Sequence, residues 1–64
     1  MALVIKVVLV DDCYKFATLI DNRRPVSRDN VGYSDYPHRA IPAEHIDTVR
    51  RELPDFKFII TEVK

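Results

Sequence analysis

The sequence ALVIKVVLVDDCYKFATLI, residues 2–20, contains one clear strand followed by a stretch that fits two different structures. Residues 2–10 are rich in β-branched side chains and nearly uncharged, which is typical of a β-strand. Because both faces of this strand are largely apolar, we expect it to be covered on both sides. The two faces consist of Leu3, Ile5, Val7 and Leu9, and of Val4, Lys6, Val8 and Val10.

Residues 12–21 predict either a returning strand or a helix. A helix would be capped by Asp11 or Asp12. The side chains that follow favour a strand, although Asp–Asp is a less common tight-turn pair than Asn–Gly. We predict a hairpin and keep the helix as the alternative. The hairpin has a self-consistent register, with Tyr14, Phe16, Thr18 and Ile20 opposite Leu9, Val7, Ile5 and Leu3.

Residues 42–53 predict one helix. Pro42 suits the first helical position, and Pro54 ends the helix. Its apolar stripe contains Ile46, Val49 and Leu53.

Residues 55–63 predict a last strand, since apolar and polar residues alternate there. The predicted fold class is therefore α+β: a small ββαβ domain with a three-stranded, mainly antiparallel sheet and one helix on one face. A βαβ-like arrangement with two helices is the alternative.

Length and composition limit the function classes. Sixty-four residues allow a single domain with a marginal core. One cysteine, Cys13, excludes an internal disulfide, and with no signal-peptide pattern it favours a reducing, cytoplasmic compartment. No apolar run is long enough for a membrane span. Ten basic and ten acidic side chains give a net charge of zero, which argues against a general polyanion binder.

The predicted sheet has more apolar surface than one helix covers. The second face retains Val4, Val8, Val10 and Leu19, and with them Ile59 and Val63. An apolar patch of this size on a small chain usually marks an interface with a partner or a second copy. The alternative is that the segment 22–41 folds over this face, using Val26, Val31, Tyr33, Tyr36 and Ile41.

Two stretches, VIKVVLVDDCYKF and HIDTVRRELPDFKFIITEV, resemble parts of response-regulator receiver domains. The resemblance implies that Asp11 and Asp12 correspond to acids that help to hold magnesium. The chain departs from the family at Thr61 and Glu62, where the resemblance places the phosphoaccepting aspartate. Two carboxylates without a third ligand make a poor magnesium site, so we expect no phosphotransfer.

Cys13, His38 and His45 match no zinc-ligand spacing, and no sequence signature holds a base against Cys13. A glycine-rich phosphate loop is also excluded, since Gly32 is the only glycine. We therefore expect no catalytic residues, no metal and no cofactor.

The segment NRRPVSRDNVGYSDYPHRAIP, residues 22–42, is the candidate recognition region. It holds most of the arginines and tyrosines, the residue types that recur in interface hot spots, and its prolines limit the entropy lost on docking. Long irregular segments are often functional, although a solvated loop is the alternative. The candidate partner-binding residues are Arg23, Arg24, Arg28, Tyr33, Tyr36 and Arg39, together with Val4, Val8 and Val10.

Asp29 and Asp35 lie among these arginines, and this mixed charge suits a protein partner better than nucleic acid. The sequence thus predicts a non-enzymatic protein–protein interaction module, a regulator or inhibitor of a larger protein. Small proteins that phages make against host systems offer an analogy. The alternative function is a nucleic-acid-binding module that uses the same arginines and tyrosines.

Overall fold

A computed structural model describes residues 2–63. It shows one four-stranded antiparallel sheet in the order β3-β2-β1-β4, with one helix, α1, before the last strand. The α+β class with one helix is confirmed. The prediction of three strands is wrong, because a fourth strand lies inside the segment predicted as a loop at 22–41. The strands are β1 (Ala2–Val8), β2 (Tyr14–Leu19), β3 (Val31–Ser34) and β4 (Lys57–Val63), and α1 is Ile46–Glu52.

Residues 14–19 form the returning strand of a hairpin, so the helix alternative is wrong. A three-residue turn, Val10–Asp12, joins β1 to β2, with positive φ angles of 59° at Asp11 and 57° at Asp12. Aspartate is one of the few side chains that enter this region readily, since its short polar group can bond locally. The Asp–Asp pair therefore lies in a three-residue turn and not in the two-residue turn that we expected.

The longer turn changes the predicted register by one residue. Lys6 pairs with Phe16, and Val8 pairs with Tyr14, whereas the sequence predicted Val7 opposite Phe16. A one-residue shift moves side chains to the other face of a sheet. Tyr14 and Phe16 consequently share a face with Lys6 and Val8, and Leu19 lies on the opposite face.

The core lies between the sheet and α1. The predicted helical stripe is confirmed, since Val49 and Leu53 are buried and Ile46 is partly buried against them. The helix begins later than expected, because Pro42 is followed by a 3₁₀ turn, Ala43–His45. The buried core consists of Ile5, Val7, Ala17, Ile41, Val49, Leu53 and Phe58.

Ile41 is inserted between β1 and β2. Its N–H donates to the carbonyl oxygen of Ala17 at 2.8 Å, and its own carbonyl accepts from the N–H of Ile5 at 3.0 Å. The flanking residues form isolated bridges, Ala40 with Thr18 and Pro42 with Val4. One residue of the predicted loop thus completes the sheet where β1 and β2 separate.

Asn30 organises the connection between β2 and β3. Its side chain is buried; its Oδ1 accepts from the N–H of Asp21 at 2.9 Å, and its Nδ2 donates to the carbonyl of Asp21 at 3.0 Å. The same Nδ2 lies 3.0 Å from the carbonyl oxygen of Pro25 and 3.3 Å from that of Arg24. One amide therefore satisfies several backbone groups that a structureless loop would leave to water.

The face of the sheet opposite α1, here called the open face, is built from the even-numbered residues of β1 and β2 and the odd-numbered residues of β4. The segment 22–41 sends Val26, Val31 and Ile41 to the core on the α1 side instead. Among residues 2–63, no helix is long and apolar enough to cross a membrane.

Candidate functional site

Two rows of side chains cross the open face. In the first row, Lys6 lies between Phe16 on β2 and Ile59 on β4. In the second, Val8 lies between Tyr14 and Lys57. Directly opposed side chains in antiparallel pairs lie about 4.5–5.5 Å apart at Cβ, so each row forms a continuous surface across three strands.

The open face combines apolar area with positive charge. The Lys6 Nζ lies 4.7 Å from the centroid of the Phe16 ring, a cation–π distance. Tyr14 is 48% exposed and Ile59 37%. Among the described strand residues of this face, Lys6 and Lys57 are charged and none is a carboxylate. Such a surface suits a partner that offers apolar groups beside acidic ones.

The three valines predicted to contact a partner lie in different environments. Val8 is half-buried at the centre of the open face. Val4 is 6% exposed beside Pro42, so little of its side chain is accessible. Val10 lies outside β1, in the hairpin turn, and is 83% exposed.

The structure separates the predicted arginines. The Arg28 Nη2 lies 3.0 Å from the Asp55 Oδ2, in the turn before β4. The Arg23 Nε lies 3.5 Å from the Oδ1 of Asp21, which is two residues earlier in the chain. Arg24 is exposed, and its N–H donates to the carbonyl of Asp21. Two of the four arginines are therefore already beside a carboxylate.

Arg39 lines a groove of about 380 Å³ together with His38 and Asn22. Asn22 directly precedes Arg23 in sequence, so the groove joins the two ends of residues 22–42, here called the Arg/Tyr segment. Its remaining walls are Leu19, Ala40, Ile41 and Pro42.

Tyr33 and Tyr36 are well exposed but have different neighbours. Tyr33, on β3, lines an apolar groove of about 120 Å³ with Leu53 and Phe56 on the α1 side. Tyr36 follows β3, and its ring centroid lies 6.4 Å from that of His38. The two tyrosines therefore lie on or directly after the edge strand β3, and they do not form one continuous stacking surface with the open face.

One titratable side chain of the described residues has a shifted pKa. Lys15 donates a hydrogen bond to the Asp35 Oδ1 at 2.7 Å, and this contact raises the pKa of Lys15. Cys13 is exposed next to the hairpin turn. Between residues 2 and 63, no three His, Cys, Asp or Glu side chains lie together as a metal site requires.

The candidate binding residues predicted from the sequence do not include Lys6, Tyr14 and Phe16. The predicted register placed both aromatic side chains on the other face of the hairpin, with Leu9 and Val7. The signal that could have placed them was the turn: Asp–Asp is a poor pair for a two-residue turn, which favours a longer connection.

No family model, curated protein or solved structure matches this chain.

Proposed function

We propose that the chain is a small, non-enzymatic protein–protein interaction module that binds a larger protein or protein complex as its regulator or inhibitor. The observation that carries this proposal is the arrangement of Tyr14, Phe16, Val8 and Ile59 around Lys6 on the open face. Exposed aromatic and aliphatic side chains on a rigid sheet provide anchor area at a small entropy loss.

In this proposal, Lys6 and Lys57 select the partner. An apolar patch alone discriminates poorly, whereas charges of one sign favour a partner surface that carries carboxylates and disfavour a basic one. The Arg/Tyr segment adds contacts at its exposed side chains, above all Arg24, Arg39, Tyr33 and Tyr36. We place the interaction in the cytoplasm, where a lone exposed cysteine stays reduced.

The experiment is quantitative affinity capture with the wild-type chain and two variants. Val8→Glu introduces a carboxylate between Tyr14 and Lys57, where the neighbouring cations keep it compatible with the monomer. Ile60→Lys is the matched control, since it also introduces a charge at an apolar strand position, but on β4 and on the α1 side of the sheet.

We expect Val8→Glu to lose the captured protein while Ile60→Lys retains it, with both variants folded by circular dichroism. Equal capture by all three proteins would contradict docking through the open face.

Nucleic-acid binding is the second candidate function, and one observation favours it. Tyr14 and Phe16 lie beside two lysines on a sheet face whose described strand residues carry no carboxylate, and aromatic rings on such a face can stack on unpaired bases. Fluorescence anisotropy of labelled single-stranded and duplex oligonucleotides tests it. Binding that weakens steeply with salt would favour this candidate, whereas no binding at low salt would reject it.

A further inference from the structure

The outer side of β4 offers unpaired backbone groups. All seven residues of β4 pair with β1 on the inner side, from Lys57 opposite Val8 to Val63 opposite Ala2. Within the described chain, no backbone segment pairs with the outer side of β4. The other edge strand, β3, has only four residues, so β4 is the longer template for pairing with another strand.

β4 also has few of the features that usually protect an edge. It contains no proline, no glycine and no bulge, since its register with β1 is continuous. Its two charged residues, Lys57 and Glu62, lie near opposite ends. Residues 58–61, between these two charges, are uncharged and rich in residues that favour β-strands.

Exposed apolar side chains lie along this edge on both faces of the sheet. Ile59 is on the open face, and Ile60 is on the α1 side. Leu3, opposite Glu62, and Phe56, directly before β4, extend the apolar surface on the α1 side. An edge that is apolar on both faces gains burial as well as hydrogen bonds when another strand pairs with it.

We propose that β4 pairs antiparallel with β4 of a second copy of this chain, around a two-fold axis at Ile59. This register places Ile59 opposite its own copy on the open face and Phe58 opposite Ile60 of the second copy on the α1 side. The two sheets then form one continuous eight-stranded sheet, with both helices on the same face.

The charges of β4 are compatible with a second copy in this orientation. Antiparallel pairing around Ile59 places Lys57 opposite Thr61 of the second copy, at both ends of the strand pair, whereas Glu62 lies on the other face of the sheet from Lys57. In-register parallel pairing would instead place like charges side by side. A standard interface takes about 800 Å² per partner, whereas this chain exposes 4689 Å² in total. A chain of this size often gains stability by oligomerisation, which favours a second copy as the partner of β4.

This inference goes beyond the proposed function and can fail separately from it. Val8→Glu alters the open face and leaves the outer side of β4 unchanged, whereas Ile60→Lys alters the β4 edge alone. Dimerisation without capture of a larger protein, or the reverse, identifies which of the two proposals is wrong.

The test is sedimentation equilibrium of the full chain across the micromolar range, with Ile60→Lys and, as matched control, Ile20→Lys at an exposed site at the end of β2. We expect the wild-type and Ile20→Lys proteins to approach twice the 7.5 kDa monomer mass at high concentration. In Ile60→Lys the dimer dissociation constant should rise by about tenfold or more.

A wild-type protein that remains at 7.5 kDa throughout, or equal effects of the two lysines, overturns the proposal. A mass that grows past two copies without a plateau also overturns it, because that result indicates open-ended pairing of β4 with β3. If Ile60→Lys fails to fold, hydrogen exchange of the wild-type protein decides. Protection of the β4 amides should rise with protein concentration, and unchanged protection contradicts the pairing.

Discussion

The N–H of Ile5 donates to the carbonyl oxygen of Ile41 at 3.0 Å, which connects the central strand to a residue from the segment predicted as a loop. The Ile41 side chain is 1% exposed and packs in the core with Ala17 and Val49. The Arg/Tyr segment is thus fixed at its far end by the core itself.

Replacing Ile41 by alanine should lower the free energy of unfolding by about 2–5 kcal/mol, because it removes buried methyl groups and leaves a cavity. Urea denaturation followed by circular dichroism measures this change. Ile20→Ala, at a side chain that is 65% exposed, is the control and should change stability little. Similar losses in the two variants would show that Ile41 is not part of the core.

Replacing Asn30 by alanine should cost about 1–3 kcal/mol of stability, because backbone carbonyls of Asp21 and Pro25 lose their buried donor. Hydrogen exchange should also quicken at the amide of Asp21, which donates to the Asn30 Oδ1. Asn22→Ala, at an exposed site, is the control. Unchanged exchange at Asp21 would contradict the assigned role of Asn30.

Replacing Arg23, Arg24 and Arg28 together by alanine should weaken the complex with the protein partner and change the melting temperature little. The ion pairs of Arg23 and Arg28 are exposed, and such pairs contribute about 0–1 kcal/mol to stability. Calorimetric titration and thermal unfolding test the two halves of this prediction. Unchanged partner affinity would show that these three arginines do not contribute to partner binding.

Replacing Asp35 by asparagine should lower the pKa of Lys15 towards its ordinary value of 10.5, because the hydrogen bond to Asp35 is what raises it. Since the folded state has the higher pKa, the pair's contribution to stability is complete below the unfolded pKa. It is lost as the pH rises through the folded pKa, in the alkaline range. An NMR titration of Lys15 in both proteins measures the shift, and equal pKa values would contradict it.

The elements with a strong local pattern could be predicted from the sequence. β1 follows from its run of β-branched residues, and α1 from the spacing of Ile46, Val49 and Leu53. The predicted start of α1 is wrong, because the 3₁₀ turn after Pro42 satisfies the same sequence pattern as a first helical turn.

The missed features depend on contacts that are distant in sequence. β3 contains only four residues, one of them Gly32, and becomes a strand by pairing with β2. The roles of Asn30 and Ile41 are likewise fixed by partners elsewhere in the chain. For the candidate site, the sequence assigns Val8 to the correct face of the sheet. It assigns Tyr14 and Phe16 to the wrong face, because the hairpin register depends on backbone angles at Asp11 and Asp12.

Docking through the open face can be tested directly by photo-crosslinking from position 14. A photoreactive phenylalanine analogue replaces Tyr14 and, as control, Phe56 beside the β4 edge. We predict an adduct with a larger protein from position 14, and from position 56 no adduct heavier than two copies of the chain. A larger protein joined at position 56 but not at position 14 would contradict docking through the open face.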